Sequence, residues 1–176
     1  IGIKLRNDNN VLLDCIEGFF NNDRVVKSIK KRVPAIMLQG IGSNAGKSLL
    51  TMALCRIFTN EGYRVRPFKS QNMSLNSYIT PSGEEVSRAQ HLQALAAKTE
   101  TDVRMNPVLL KPVSNSDSQV IVMGKPGAIR GFKDYRAQKD LVWKDVTAAY
   151  DSLAEEADLI ILEGAGSPVE MNLKSG

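Results

Sequence analysis

Residues 34–50 read PAIMLQGIGSNAGKSLL, and the fold turns on how that stretch is parsed. Ala35 to Leu38 is an apolar run that predicts a buried strand. Gly40-Ile41-Gly42-Ser43-Asn44-Ala45-Gly46 is a loop of small residues, and Lys47-Ser48 opens a helical pattern carried by Leu49, Leu50, Ala53, Leu54, Ile57 and Phe58. Strand, glycine loop, Lys-Ser and helix in this order are the parts of a phosphate-binding loop. Small residues let backbone N–H groups point at phosphate oxygens, the helix N-terminus adds the positive end of its dipole, and the lysine adds a full charge. The serine hydroxyl suits Mg²⁺. The spacing departs from the usual one: five residues rather than four lie between Gly40 and Gly46, and the strict position holds Ile41. A glycine-rich turn followed by a chance Lys-Ser is the plainer alternative; the strand before and the helix after argue against it.

Outward from this loop, 176 residues suffice for one domain with a core, and 43% apolar with 24% charged residues is a globular profile. A net charge of +4 without basic residues interleaved with aromatics does not point to nucleic acid, and suits a protein handling polyanions such as ATP. The run Lys27 to Arg32 reads as a solvated helix end or linker. Cys15 and Cys55 fall on apolar helical faces with no second ligand near in sequence, so both read as small buried hydrophobes in a reducing compartment, the cytoplasm. No stretch reaches the ~18 apolar residues of a membrane span. The start at Ile1 and the stop at Gly176 set the expectation of a fragment of something longer, with the second domain incomplete at its C-terminus.

Residues 1–33 read as a separate N-terminal extension. An alternating strand from Ile1 to Leu5, a polar turn at Asn7 to Asn10 and a helix marked by Leu12, Leu13, Ile16, Phe19 and Phe20 precede a boundary at Pro34. This strand-turn-helix resembles the C-terminal end of a fold-type I aminotransferase of the histidinol-phosphate type; an extension packed on the main domain is the alternative. Residues 34–176 form the main domain. Asn60-Glu61-Gly62 ends the first helix, and Tyr63 to Lys69 is the next strand, with Pro67 arguing for an end or an edge. The polar loop Ser70 to Ser77 suits a ligand loop at the carboxyl edge of a parallel sheet. Glu84 to Lys98 predicts a helix with its acidic pair in the first turn. The only histidine, His91, lies on it without a Cys or Asp partner and reads as an ordinary packed or surface residue. Pro107 to Val113 and Ser118 to Gly124 predict adjacent strands, and residues 133–157 an amphipathic helix with Tyr135, Val142, Val146, Ala149, Tyr150 and Leu153 inward. Asp158 to Leu162 is an unbroken apolar run for a central parallel strand. It ends in Glu163-Gly164-Ala165-Gly166-Ser167, a carboxylate at a strand tip followed by glycines, which reads as the second half of a nucleotide site reaching Mg²⁺ beside Ser48.

Six blocks carry a resemblance. QGIGSNAGKSLL, PFKSQNMSLNS, GEEVSRAQHLQALAA, MNPVLLKP, SDSQVIVMGK and LIILEGAGSPVEMNL stand in the order and form of the N-terminal synthetase domain of the cobyric acid synthase family. The match spans residues 34 to 173. The longer loop and the Glu-Gly-Ala-Gly block also resemble dethiobiotin synthetase. The resemblance implies an α/β fold, a P-loop NTPase-type parallel sheet flanked by helices, here truncated. It implies an enzyme of cobalamin biosynthesis: ATP-dependent amidation of the b, d, e and g carboxylates of adenosylcobyrinic acid a,c-diamide, with ammonia from glutamine released in a C-terminal glutaminase domain. Neither Cys15 nor Cys55 sits in a nucleophile context, so this stretch is not expected to hydrolyse glutamine. By position in the family, Gly42, Ser43, Asn44, Ala45, Gly46, Lys47, Ser48 and Leu49 bind nucleotide, and Lys47, Lys69 and Glu163 are catalytic. Lys69, Gln71, Asn72, Ser74 and Asn76 line the substrate side, and Ser48 and Glu163, with Glu85 as a further carboxylate, hold Mg²⁺. Ile41 and Ser87 depart from the family's smaller residues without removing a charge. The resemblance leaves a homodimer open. Partition and septum-site ATPases share the fold but carry an extra lysine ahead of the glycines, where this chain has Leu38-Gln39-Gly40. A sibling amidase for the a and c carboxylates is disfavoured by Gln71-Asn72-Met73.

Overall fold

The structure, a computed structural model, describes residues 33–42, 44–113, 118–130 and 137–165. The expectations for residues 1–32, Cys15 and the helix within them included, for Ser43, for Tyr135 and for Gly166-Ser167 lie outside these residues. The described part is α/β, as the sequence predicts. Its centre is a parallel sheet in which β9 (Leu159–Glu163) lies between β1 (Ala35–Leu38) and β2 (Val65–Phe68), with Leu38 opposite Glu163 and Phe68 opposite Leu162. β9 is paired on both sides, and its Leu159, Ile160 and Ile161 are buried, which accounts for its unbroken apolar run. Among the described residues β2 has β9 on one side only, so Pro67 costs no ladder bond on an occupied edge.

The expectation that β1 is buried needs correction. Only Leu38 is buried and Met37 is 56% exposed, because β1 pairs on one side alone among the described residues. A similar correction applies to α1 (Lys47–Asn60). Its buried positions are Thr51, Cys55 and Phe58, while Leu49, Leu50 and Ile57 are exposed. Both sets have helical spacing; they differ by one residue, a rotation of about 100° around the axis. Gly62, at φ +95, follows the helix end, as the turn there demands.

A second sheet has the order β3-β6-β7-β8, formed by Gln71–Met73, Val108–Pro112, Ser118–Val122 and Lys125–Arg130. β6 and β7 pair antiparallel, as the two apolar runs predict. β3 turns part of the expected polar loop into a strand parallel to β6, and β8 was not legible because Pro126 and Gly127 interrupt its pattern. The helix expected from Glu84 is also shorter. Glu85–Ser87 forms β5, paired antiparallel with β4 (Ser77–Ile79), and α2 runs only from Arg88 to Ala96. Ser87 is the reason: its hydroxyl accepts from the Gln90 amide, an N-cap that starts the helix four residues late, at Arg88. Gly124 packs against this hairpin at φ +73, where a Cβ would stand 2.9 Å from the Glu85 amide nitrogen.

α3 (Lys139–Glu155) covers the main sheet, burying Val142, Val146, Ala149 and Leu153 against Phe68, Val108, Leu110, Val120 and Ile160. Tyr150 meets Phe68 edge to face, with ring centroids 5.3 Å apart. Truncating fully buried Leu153 to alanine would cost about 2–5 kcal/mol. Among the described residues no helix is long and apolar enough to cross a membrane.

Candidate nucleotide-binding site

The parallel sheet brings the C-terminal ends of β1, β2 and β9 together beside the start of α1. Gly46 takes the left-handed conformation (φ +81) at the helix N-cap, and its carbonyl accepts from Leu50 N at 2.9 Å, so the loop turns straight into α1. Lys47 folds back over the loop: its Nζ donates to the Gly42 carbonyl at 2.7 Å. A Cβ on Gly40 would come within 3.1 Å of the Lys47 side chain, which would have to shift by a few tenths of an ångström. Asn44 also sits at positive φ, +59.

Glu163 is the hub. It ends β9, is 3% exposed, and its two oxygens have different neighbours. Oε1 accepts from the Ser48 hydroxyl at 2.8 Å and from Lys69 Nζ at 2.6 Å. Oε2 accepts from Gln93 Nε2 at 2.7 Å and from Gln90 Nε2 at 3.4 Å. Burial alone would raise this carboxyl's pKa; the Lys69 hydrogen bond and charge, with Gln93 and Ser48, outweigh it and hold the group below the ordinary glutamate value. Lys69 is fixed from behind, its amide donating to Met105 O and its carbonyl accepting from buried Asn106. After Glu163 the chain passes close to its neighbour: Gly164 N donates to Leu38 O, and a Cβ at Gly164 would fall 2.0 Å from Gln39 Oε1.

Ser48, Lys69 and Glu163, read from the sequence as one site, therefore meet on one oxygen. Asn72 joins them indirectly, donating to Ser87 Oγ at 2.8 Å and to Gln90 Oε1 at 3.0 Å. Gln71 is half-buried on β3. Ser74 and Asn76 bond each other in a local turn. Leu49 is exposed on α1. Glu85 has no hydrogen bond or ion pair to Ser48 or Glu163 among the described residues. It lies on β5 rather than in a helix's first turn, and its carboxylate pairs with Lys111 on β6. Gln90 and Gln93 carry half of the Glu163 shell and have no role in the sequence reading. The available signal was two amides three apart in RAQHLQALA, on the face that also carries Ala94 and Ala97. His91 stacks on Tyr78 with centroids 3.7 Å apart and bonds Thr101, a packed residue as expected. Cys55 is buried, and burial pushes its thiol up to about 12.

A cavity of about 400 Å³ opens beside Glu163, walled by Met37, Phe68, Trp143, Tyr150 and Leu162. Among the described residues no three His, Cys, Asp or Glu side chains cluster to form an all-protein metal cage. One hydroxyl and one carboxylate could instead hold a Mg²⁺ that completes its shell with water and phosphate.

Residues 36–165 match the CbiA family, described as the CobQ/CobB/MinD/ParA nucleotide binding domain. Over 174 residues the chain is 51% identical to the adenosylcobalamin biosynthesis bifunctional protein CobDQ of Leptospira interrogans, covering 99% of this chain and 20% of that protein. Cobyric acid synthase of Nitratidesulfovibrio vulgaris is 56% identical over 147 residues (84% of this chain, 27% of that protein). The same enzyme of Ruminiclostridium cellulolyticum is 60% identical over 139 residues (79% and 27%). The chain thus spans between a fifth and just over a quarter of the length of these relatives, and the resemblance read from the six blocks is borne out. With the phosphate loop, the parallel sheet and the Ser48–Glu163 contact in place, the chain belongs to the CobQ/CobB/MinD/ParA nucleotide-binding-domain family.

Proposed function

We propose that this chain is the nucleotide-binding part of an ATP-dependent amidoligase that converts the b, d, e and g carboxylates of adenosylcobyrinic acid a,c-diamide to amides, giving cobyric acid. The observation that carries the reading is the single oxygen of Glu163 that receives both the loop serine and Lys69; the names of the relatives supply the substrate. A carboxylate is a poor electrophile, since its charge repels nucleophiles and oxide is not expelled. Transfer of the γ-phosphoryl of ATP to a carboxylate oxygen, with ADP leaving, makes an acyl phosphate. Ammonia then attacks the carbonyl carbon and phosphate departs with that oxygen. The protein's part is positioning and charge neutralisation.

In this reading the amides of Gly42, Ser43, Asn44, Ala45 and Gly46, with Lys47, hold the phosphates. Ser48 and Glu163 hold Mg²⁺, and the residues fit: both offer hard oxygen donors, and Oε1 already accepts a cation in Lys69. The ion, when bound, offsets charge on the phosphate oxygens. Lys69 faces the transferring phosphoryl and the substrate carboxylate, and Gln71, Asn72, Ser74 and Asn76 line the substrate side. Ammonia comes from a glutaminase domain C-terminal to this one, for which the relatives' greater length leaves room. The match to the bifunctional relative covers 99% of the chain against 79–84% for the synthases above, which supports assigning residues 1–33 to the end of a fused preceding domain.

Lys47→Ala in the full-length protein tests the reading. Corrinoid amidation with ATP and NH₄⁺ should fall on the order of 10²–10³-fold, the loss typical of removing one preorganised electrostatic contact. An unchanged rate would take the loop out of the reaction.

A further inference from the structure

The charge on Glu163 dictates the direction of a chain of amides that ends at Asn72. A carboxylate only accepts hydrogen bonds. The atom of Gln93 that lies 2.7 Å from Oε2 must therefore be its nitrogen, and its Oε1 then faces Gln90 Nε2 at 3.3 Å. Gln90 Nε2, which also approaches Oε2, leaves Gln90 Oε1 as an acceptor for the Ser87 hydroxyl and for Asn72 Nδ2 at 3.0 Å. The second hydrogen of Asn72 Nδ2 goes to Ser87 Oγ at 2.8 Å. Turning the Asn72 amide over would set two acceptors 3.0 Å apart. Gln90, Gln93 and Ser87 are buried, so water cannot relieve such a mismatch. Asn72 Oδ1 makes no hydrogen bond among the described residues, and no buried side-chain oxygen or nitrogen among them lacks a partner, so this oxygen is the open end of the chain.

We infer that Asn72 presents a fixed hydrogen-bond acceptor, oriented by Glu163 through Gln93 and Gln90, to an N–H donor at the substrate side: ammonia, or a primary amide of the substrate. The choice of donor rests on the amidation reading above. An acceptor repels a carboxylate oxygen, but it can take one N–H of ammonia and leave the nitrogen lone pair free for the carbonyl carbon. Asn72 moves no proton in this role; it orients the nucleophile or the amide neighbouring the reacting carboxylate.

The test is steady-state kinetics of the full-length protein with NH₄⁺ as nitrogen source, varying NH₄⁺ and corrinoid in turn. Asn72→Leu should raise one KM about tenfold, with the KM for ATP unchanged. A rise for NH₄⁺ identifies ammonia, and a rise for corrinoid identifies a substrate amide. Gln90→Met, which releases the Asn72 amide, should move the same KM in the same direction. An unmoved KM in Asn72→Leu and Gln90→Met overturns the inference. Asn72→Ser replaces Asn72→Leu should the latter fail to fold. Neutron diffraction of the ligand-free protein reads the amides without turnover. Deuterium on the Asn72 atom facing Gln90 supports the relay, and an oxygen there overturns it, whether or not the wild type amidates corrinoids.

Discussion

β2 and β9 run side by side in the same direction, and an ion pair ties them at each end. Before the strands, Arg64 grips Asp158 with Nε at 2.9 Å from Oδ2 and Nη2 at 2.7 Å from Oδ1. After them, Lys69 meets Glu163 through a single contact of 2.6 Å. By geometry the first pair is the better one: bidentate, reinforced by the Arg64 amide, and strong enough to bring the Asp158 carboxyl down to about 2. Yet its side chains are 63% and 39% exposed, against 11% and 1% for Lys69 and Glu163. Water already solvates the Arg64 pair, so forming it gains little. The Lys69 pair has lost its water and must be matched atom for atom, which is why two glutamines and a serine complete it. A strand can be pinned at either end; only the dry end concentrates charge where a phosphate or a cation would feel it.

The contrast breaks first if Lys69→Met is tolerated. That change leaves a buried carboxylate without its cation and should cost about 3–5 kcal/mol in denaturant unfolding. Adding Glu163→Gln to it should return much of the loss, because the neutral amide no longer needs a counter-charge. Glu163→Gln alone keeps size but removes charge. Nucleotide should still bind through the loop amides, while Mg²⁺ affinity and Mg²⁺-dependent ADP release fall together, release by about 10²–10³-fold. A normal Mg²⁺ requirement would return Glu163 to a structural strand cap.

Acid sharpens the comparison. Both carboxyls titrate lower in the folded chain than their reference values of 4.5 and 3.8, so each contributes stability that is complete above that value and lost as pH falls through the folded one. For Asp158 the window runs from 3.8 down to about 2. Unfolding curves taken on acidification should flatten clearly in Glu163→Gln and only slightly in Asp158→Asn, since the exposed pair is screened. At neutral pH, Asp158→Asn should lower Tm by less than about 3 °C. A larger drop there would mean that the exposed end carries more of the sheet than its solvation allows.

What the sequence by itself determined is whatever a short window encodes. Gly40 to Ser48 specify a phosphate loop because its small residues leave backbone amides open and Lys47-Ser48 begins a helix, and Leu159 to Ile161 specify a strand covered on both faces because nothing polar interrupts them. That Glu163 must find partners was legible, since a carboxylate closing such a strand requires them, and two, Ser48 and Lys69, lie at the ends of neighbouring elements. The tertiary structure alone decided the rest. Leu49 and Leu50 have the same periodicity as the inward face of α1, and which face turns in depends on where the sheet lies, one residue's rotation away. The helix expected from Glu84 yields to a hairpin because Ser77 and Ser87 pair across ten residues and Ser87 then caps α2. Gln90 and Gln93 look like surface residues of an ordinary helix. They become the far half of the Glu163 shell because the fold carries them across some seventy positions of sequence into a place without water, where an amide's orientation is set by the charge it meets.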